Sequence, residues 1–245
     1  MFWLREHRER AEYWEGFRDQ TTVALGISAW GLMTGVAMVK SGLSVLEAVL
    51  MTLIVYAGSA QLAAVPMIAS GAPMWVILAA AFCVNLRFVV FSAHLRPYLM
   101  HLPRWRRLVS GYVTGDLSYV FFAKRYGKPG ATPEELLGQQ SYLMGNCAVN
   151  YLAWMTASLL GILLANAIPT HWGLGFAGIL ALLGVLSSLA SSPLRIVSAG
   201  VAGAAAVVAY ALPLKLNILV AIASAVAICL VMERRDPSAP GPRHV

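Results

Sequence analysis

Apolar residues run along this chain in long stretches, at approximately 22–39, 45–70, 74–95, 109–123, 141–165, 173–190, 194–211 and 214–232. The connections between them are short and marked by Gly and Pro, apart from one longer polar loop, KRYGKPGATPEELLGQQ. Several stretches exceed the ~18 apolar residues that read as a spanning helix. The pattern predicts an all-α polytopic integral membrane protein, a helical bundle of about 6–8 transmembrane segments. Three regions follow: an amphipathic cytoplasmic segment over 1–20 with aromatics toward the headgroups, a single transmembrane domain over 21–232, and a Pro-rich disordered cytoplasmic tail over 233–245. Within the polar loop, Thr132 followed by Pro133, Glu134 and Glu135 predicts a helix start, with Thr as cap and acids in the first turn.

Two stretches break the apolar pattern. The first, 45–70, contains YAGSAQLAAV, which sets Gly58, Ser59 and Gln61 together; the second, 109–123, is short and contains Asp116. Both are expected to be broken or re-entrant helices, near 56–61 and 109–123. Charge placement is consistent with re-entry. Arg5, Arg8, Arg10 and Arg18 place the N-terminus in the cytoplasm, and Arg234 with Arg235 place the C-terminus there. One loop carries Arg96, Arg104, Arg106 and Arg107, and the next carries Lys124, Arg125 and Lys128. A single crossing over 109–123 would put one of these loops outside, whereas two re-entrant segments put both inside. Irregular backbone at membrane depth needs protein or a water-filled cavity around it, so the re-entrant arrangement predicts a site between the two breaks. The alternative is a full set of crossings with one basic loop outside.

Composition agrees with the membrane reading and narrows the function. The chain is 59% apolar and 12% charged, half the charged fraction of an average soluble domain. The net charge of +7 reads as orientation against the cytoplasmic face and predicts no nucleic-acid partner. The first twenty residues lack the apolar run of a cleavable signal. Cys83, Cys147 and Cys229 all sit in apolar segments without a paired motif, and the five histidines show no ligand spacing, so neither a metal site nor a cofactor is expected. No nucleophile–base arrangement suggests an enzyme.

The polar residues inside apolar stretches carry the functional expectation. Besides Gly58, Ser59 and Gln61, these are Asn85 and Arg87 in FCVNLRFVV, Asp116 in YVTGDLSYVFF, and Asn146 and Asn150 in LMGNCAVNYLAW. A central Arg or Asp costs roughly 2.5 to 3.5 kcal/mol to insert, so each faces the bundle interior, a partner or a pathway. Arg87 and Asp116 form the natural pair, either as a permanent lock between two segments or as a pair that an arriving charge opens. Gly58 and Ser59 serve either close helix packing, with Gln61 bonding across, or a broken helix with exposed backbone groups. Asn146 and Asn150 share one face with Trp154.

The run GLMTGVAMVKSGLSVLEAVLMTLIVYAGSAQLAAV, followed by NLRFVVFSAHLRPYL, LPRWRRL and TGDLSY, resembles the AzlC family of large subunits of bacterial branched-chain amino acid exporters. The resemblance covers most of 16–165 and continues more loosely through GFAGILALLGVLSS. It implies a permease of the bacterial inner membrane that exports neutral aliphatic amino acids together with a small AzlD-like membrane subunit. Substrate contacts are then expected at Gly58, Ser59, Gln61, Asn85, Arg87, Asp116 and Asn150, with Asp116 as the proton-coupling candidate. Where the family often has Pro and Phe, this chain has Ala29 and Trp30, and NLR is followed here by Phe88, Val89 and Val90 rather than a His-containing run. Such changes beside a cavity bear on which side chain it accepts. A membrane scaffold subunit and a channel for a small neutral solute are the alternative functions.

Overall fold

The computed structural model describes residues 4–167, 193–210 and 217–235. These form helices α1 (Arg5–Arg8), α2 (Ala11–Thr21), α3 (Ala24–Lys40), α4 (Val45–Val55), α5 (Gly58–Ala69) and α6 (Met74–Leu99). They continue with α7 (Arg104–Val113), α8 (Asp116–Arg125), α9 (Pro133–Leu164), α10 (Pro193–Val208) and α11 (Asn217–Arg235). No strand occurs among the described residues. The predicted segment 173–190 and the predicted tail beyond Arg235 lie outside them.

Helix α9 is the axis of the molecule. It starts where the sequence predicts, with Thr132 accepting from the Glu135 N–H and Glu135 closing the capping box around Pro133. Its first half packs on α2 and its second half on α3, two helices bent by 61° at their junction. Glycine makes the contact close. A Cβ at Gly145 would lie 2.0 Å from the Tyr13 carbonyl oxygen, and one at Gly16 would lie 2.2 Å from that of Tyr142. Along α3 the same holds for Gly35 against Ser158 O and for Gly161 against Leu32 O, both at 2.2 Å. Small residues let helix backbones approach where lipid gives no hydrophobic drive to associate.

The N-terminal helices α1 and α2 pack on α9. Tyr13, Gly16 and Gln20 of α2 are buried against α9, and α1 docks through His7, which is 1% exposed. Ser141 donates its hydroxyl hydrogen to Leu137 O at 2.7 Å, so the 2.9 Å contact with His7 Nδ1 is donated by the ring. The His7 proton is then on Nδ1, and Nε2 is buried with no partner among the described residues, which suits the neutral ring.

Two described helices are long and apolar enough to cross a membrane alone, α6 and α9, and the bent pair α2–α3 makes a third if it is one span. Among the described residues, 45–70 and 109–123 are each split into two helices of 10 to 12 residues, so neither forms a single spanning helix. Helix α6 presents Leu78, Phe82, Leu86 and Val89 outward, an apolar stripe at i, i+4 spacing suited to acyl chains.

Candidate functional site

The two breaks meet. Helix α4 begins with a Ser44–Glu47 capping box and ends at Tyr56, which has φ 42° and ψ 41°. A left-handed Tyr is a backbone outlier that costs of order 1–3 kcal/mol and persists only when its surroundings hold it. Here Asn150 Nδ2 donates to the Tyr56 hydroxyl at 2.7 Å, and the ring packs against Tyr151 and Tyr112 with centroids 5.1 and 5.6 Å away. The second break falls at Thr114 and Gly115, both extended, between α7 and α8. Thr114 Oγ1 donates to Ser110 O at 2.6 Å, satisfying a carbonyl at the end of α7. Tyr112 of α7 donates to the carbonyl of Leu53 near the end of α4, which ties the two broken pairs together.

Each break opens a helix N-terminus toward one small cavity of about 50 Å³. Ala57 and Gly58 of α5, and Gly115 and Asp116 of α8, line it, and neither helix has a side-chain cap. Uncapped first-turn N–H groups, backed by the helix dipole, make a site for an anionic group. Glycine is required for the approach. A Cβ on Gly58 would lie 2.1 Å from Trp154 Cη2, and one on Gly115 would lie 2.5 Å from Asn150 Nδ2.

Arg87 reaches this place from the middle of α6. Its Nη2 donates to Ser59 Oγ at 2.5 Å, and its Nε lies 2.8 Å from Asp116 Oδ1 without hydrogen-bond alignment. The two side chains keep 22% and 31% of their surface exposed, so the pair borders the cavity rather than lying sealed in a core. The rest of the wall is largely aromatic, with Ile27, Leu117 and Asn150 beside the rings, and Trp30 and Trp154 meet edge to face with centroids 5.4 Å apart.

The model of the AzlC protein family matches residues 22–168, which include every residue of this cavity. The chain belongs to the AzlC family. This AzlC-family chain is 27% identical over 86 residues to the inner membrane protein YgaZ of Escherichia coli (strain K12), a match covering 35% of each chain. It is 21% identical over 159 residues to a protein of Helicobacter pylori (strain ATCC 700392 / 26695) described as an uncharacterized membrane protein, covering 63% of this chain and 67% of that one. The chain thus spans about a third of the first relative's length. No solved structure matches it. With its apolar helices and these relatives, the AzlC-family chain is a membrane protein.

Of the sequence-predicted residues, Gly58, Arg87, Asp116 and Asn150 line the cavity, and Ser59 anchors Arg87 beside it. Gln61 does not line it. Its amide Nε2 points to Met38 Sδ at 3.6 Å, on α3. Residues i and i+2 on a helix do not share a face, so a Ser59 turned toward α6 sends Gln61 the other way. Asn85 is half-buried outside the lining, with its Oδ1 unpartnered. Asn146 faces α2 and donates to Tyr142 O at 2.9 Å. Gln20 and Tyr56 escaped the sequence reading. Gln20 donates from Nε2 to Asn150 Oδ1 at 3.0 Å, and Asn150 in turn donates to Tyr56, so one amide links the N-terminal helix to the strained break. The available signal was an uncharged polar residue at the edge of the first apolar stretch.

Proposed function

We propose that this AzlC-family protein is a permease of the bacterial inner membrane that exports branched-chain or other neutral aliphatic amino acids, working with a small AzlD-like membrane subunit. The observation that carries the reading is the meeting of two uncapped helix N-termini with the Arg87–Asp116 pair in one cavity. A zwitterion needs a cationic and an anionic partner at short range. Its carboxylate would take the α5 N-terminus and Arg87, and its ammonium would take the carboxylate of Asp116 that Arg87 releases. The apolar side chain would rest on Trp30, Trp154 and Ile27, all of which line the cavity. Asp116 would exchange its cationic partner for a proton when the site empties, which couples export to proton movement.

The size of the cavity supports a gated carrier over an open channel. About 50 Å³ holds roughly three or four waters at the ~10–15 Å³ each requires, too little for a branched side chain. Binding therefore requires the two breaks to part. Loading cells with Val-, Leu-, Ile- or Met-containing dipeptides and following the free amino acid outside tests the reading. Cells making this chain with its small partner should release it faster than the empty strain. Equal release for all four would sink the substrate class.

A further inference from the structure

A second and larger concavity, of about 610 Å³, lies between α6 and α7 away from the cavity described above. On α6 it is lined by Val89, Ala93 and Arg96, and at the cap just past the helix by Met100, one stripe at i, i+4, i+7 and i+11. On α7 the wall is Arg104, Arg107 and Leu108, again one face. The two stripes give it a gradient. Toward the middle of α6 it is apolar and open, with Val89 61% exposed, and at the α6–α7 turn it is ringed by three guanidinium groups.

These cations are uncompensated. Among the described residues no carboxylate pairs with Arg96, Arg104 or Arg107, and none lines the groove. Among the described residues the Arg107 side chain donates from Nη1 to Met100 Sδ at 2.7 Å, and a thioether is a weak acceptor for a charged donor. Beside them Trp105 stands half-exposed with Arg106 Cζ 5.7 Å from its ring centre, the aromatic-plus-basic combination that marks the headgroup level of a bilayer.

We propose that this groove binds one anionic glycerophospholipid. Its phosphate sits among Arg96, Arg104 and Arg107, and an acyl chain lies along Ala93 and Val89 toward the membrane interior. Basic pockets at the ends of spanning helices recognise anionic headgroups, and the apolar length of this one accepts the tail that a free phosphate lacks. The assignment needs only that the chain is a membrane protein and is independent of what it transports.

The test uses the full chain purified in a neutral detergent, offered equal amounts of phosphatidylglycerol and phosphatidylcholine, with retained lipid counted by native mass spectrometry. Wild type should hold one phosphatidylglycerol in at least tenfold preference to phosphatidylcholine. Each of Arg96→Gln, Arg104→Gln and Arg107→Gln should weaken that retention about fivefold, and an Arg5→Gln control should leave it unchanged. Ala93→Phe fills the groove at an exposed position without touching a charge, and it should also lose the lipid while the protein stays monodisperse. Equal retention of the two lipids by wild type would overturn the proposal. So would an undiminished preference in the triple Gln variant or in Ala93→Phe, and so would displacement of phosphatidylglycerol by millimolar inorganic phosphate.

Discussion

Arg87 Nε lies 2.8 Å from Asp116 Oδ1, which joins the middle of α6 to the first residue of α8. The same guanidinium holds Ser59, the second residue of α5, so one cation spans both breaks. If the pair worked only as a lock, losing it would lower protein abundance together with activity. For a pair that opens to a zwitterion, Asp116→Asn should cut amino acid efflux at least about tenfold, ~1.4 kcal/mol on the barrier, at unchanged membrane abundance. Quantitative blotting beside the efflux assay separates the two.

The glycines along α9 predict a graded series. Gly35→Ala and Gly145→Ala drive a methyl to within 2.2 and 2.0 Å of a carbonyl oxygen, and backbone cannot step aside cheaply. Each should cost about 1–3 kcal/mol, visible as a lower melting temperature in detergent. Gly26→Ala, on the same α3, meets nothing within 4 Å and should be neutral or up to ~1 kcal/mol stabilising. A series in which all three behave alike would remove close packing as the reason for those glycines.

At Gly58 the obstacle is a side chain. An alanine there collides with Trp154 Cη2 at 2.1 Å, and the indole has the cavity beside it. Gly58→Ala should therefore keep its fold and lose most of its efflux, as the ring is pushed into the site. Trp154→Phe shortens the ring, so the double variant Gly58→Ala/Trp154→Phe should recover part of the activity. Efflux no better in the double than in the single variant would show that the clash is not what disables it.

Acid should loosen the N-terminal helices. Burial pushes the His7 imidazole down from its usual value to about 4, and positive charges, Arg106 and Arg10 among them, add to the shift. The folded protein keeps His7 neutral while the unfolded chain takes a proton below about 6.5, so this contribution is complete above pH 6.5. It is then lost at about 1.4 kcal/mol per pH unit as the pH falls from 6.5 toward 4. His7→Asn keeps a donor near the place of Nδ1 for Ser141 and cannot ionise. Melting curves across that window should slope for wild type and flatten for the variant.

Most of the architecture was legible because its causes are local. Gly58 and Ser59 inside an apolar run, and TGD inside another, announce breaks by residue type, and both breaks exist at Tyr56–Ala57 and Thr114–Gly115. The cap at Thr132 was readable from four residues. Arg87 and Asp116 could be paired by the cost of leaving either alone in lipid. What stayed hidden depends on facing. The turn of one helix decides that Ser59 meets Arg87 while Gln61 meets Met38, and only the packing of α3, α5 and α6 sets that turn. The docking of α2 escaped notice because Gly16 and Gly145 are 129 positions apart and declare their contact only once the helices are side by side.

The seam between α9 and the pair α2–α3 also divides the molecule mechanically. Where carbonyl oxygens rest against glycine backbones, a slip by one residue would bring a neighbour of the glycine, such as Phe17, Val36 or Ile162, against the carbonyl of Tyr142, Ser158 or Leu32, in a space that admits no side chain. Those three helices are interlocked backbone to backbone, with Asn150 and Trp154 carried on α9. The short helices α4, α5, α7 and α8 meet it without such interlocked backbones, apart from the point contacts at Gly58 and Gly115, and they hinge at breaks whose bonds are few and polar. The parting of the breaks that the proposed transport requires would then fall to two pairs of half-length levers turning against a fixed post, with Tyr56 as the sprung joint.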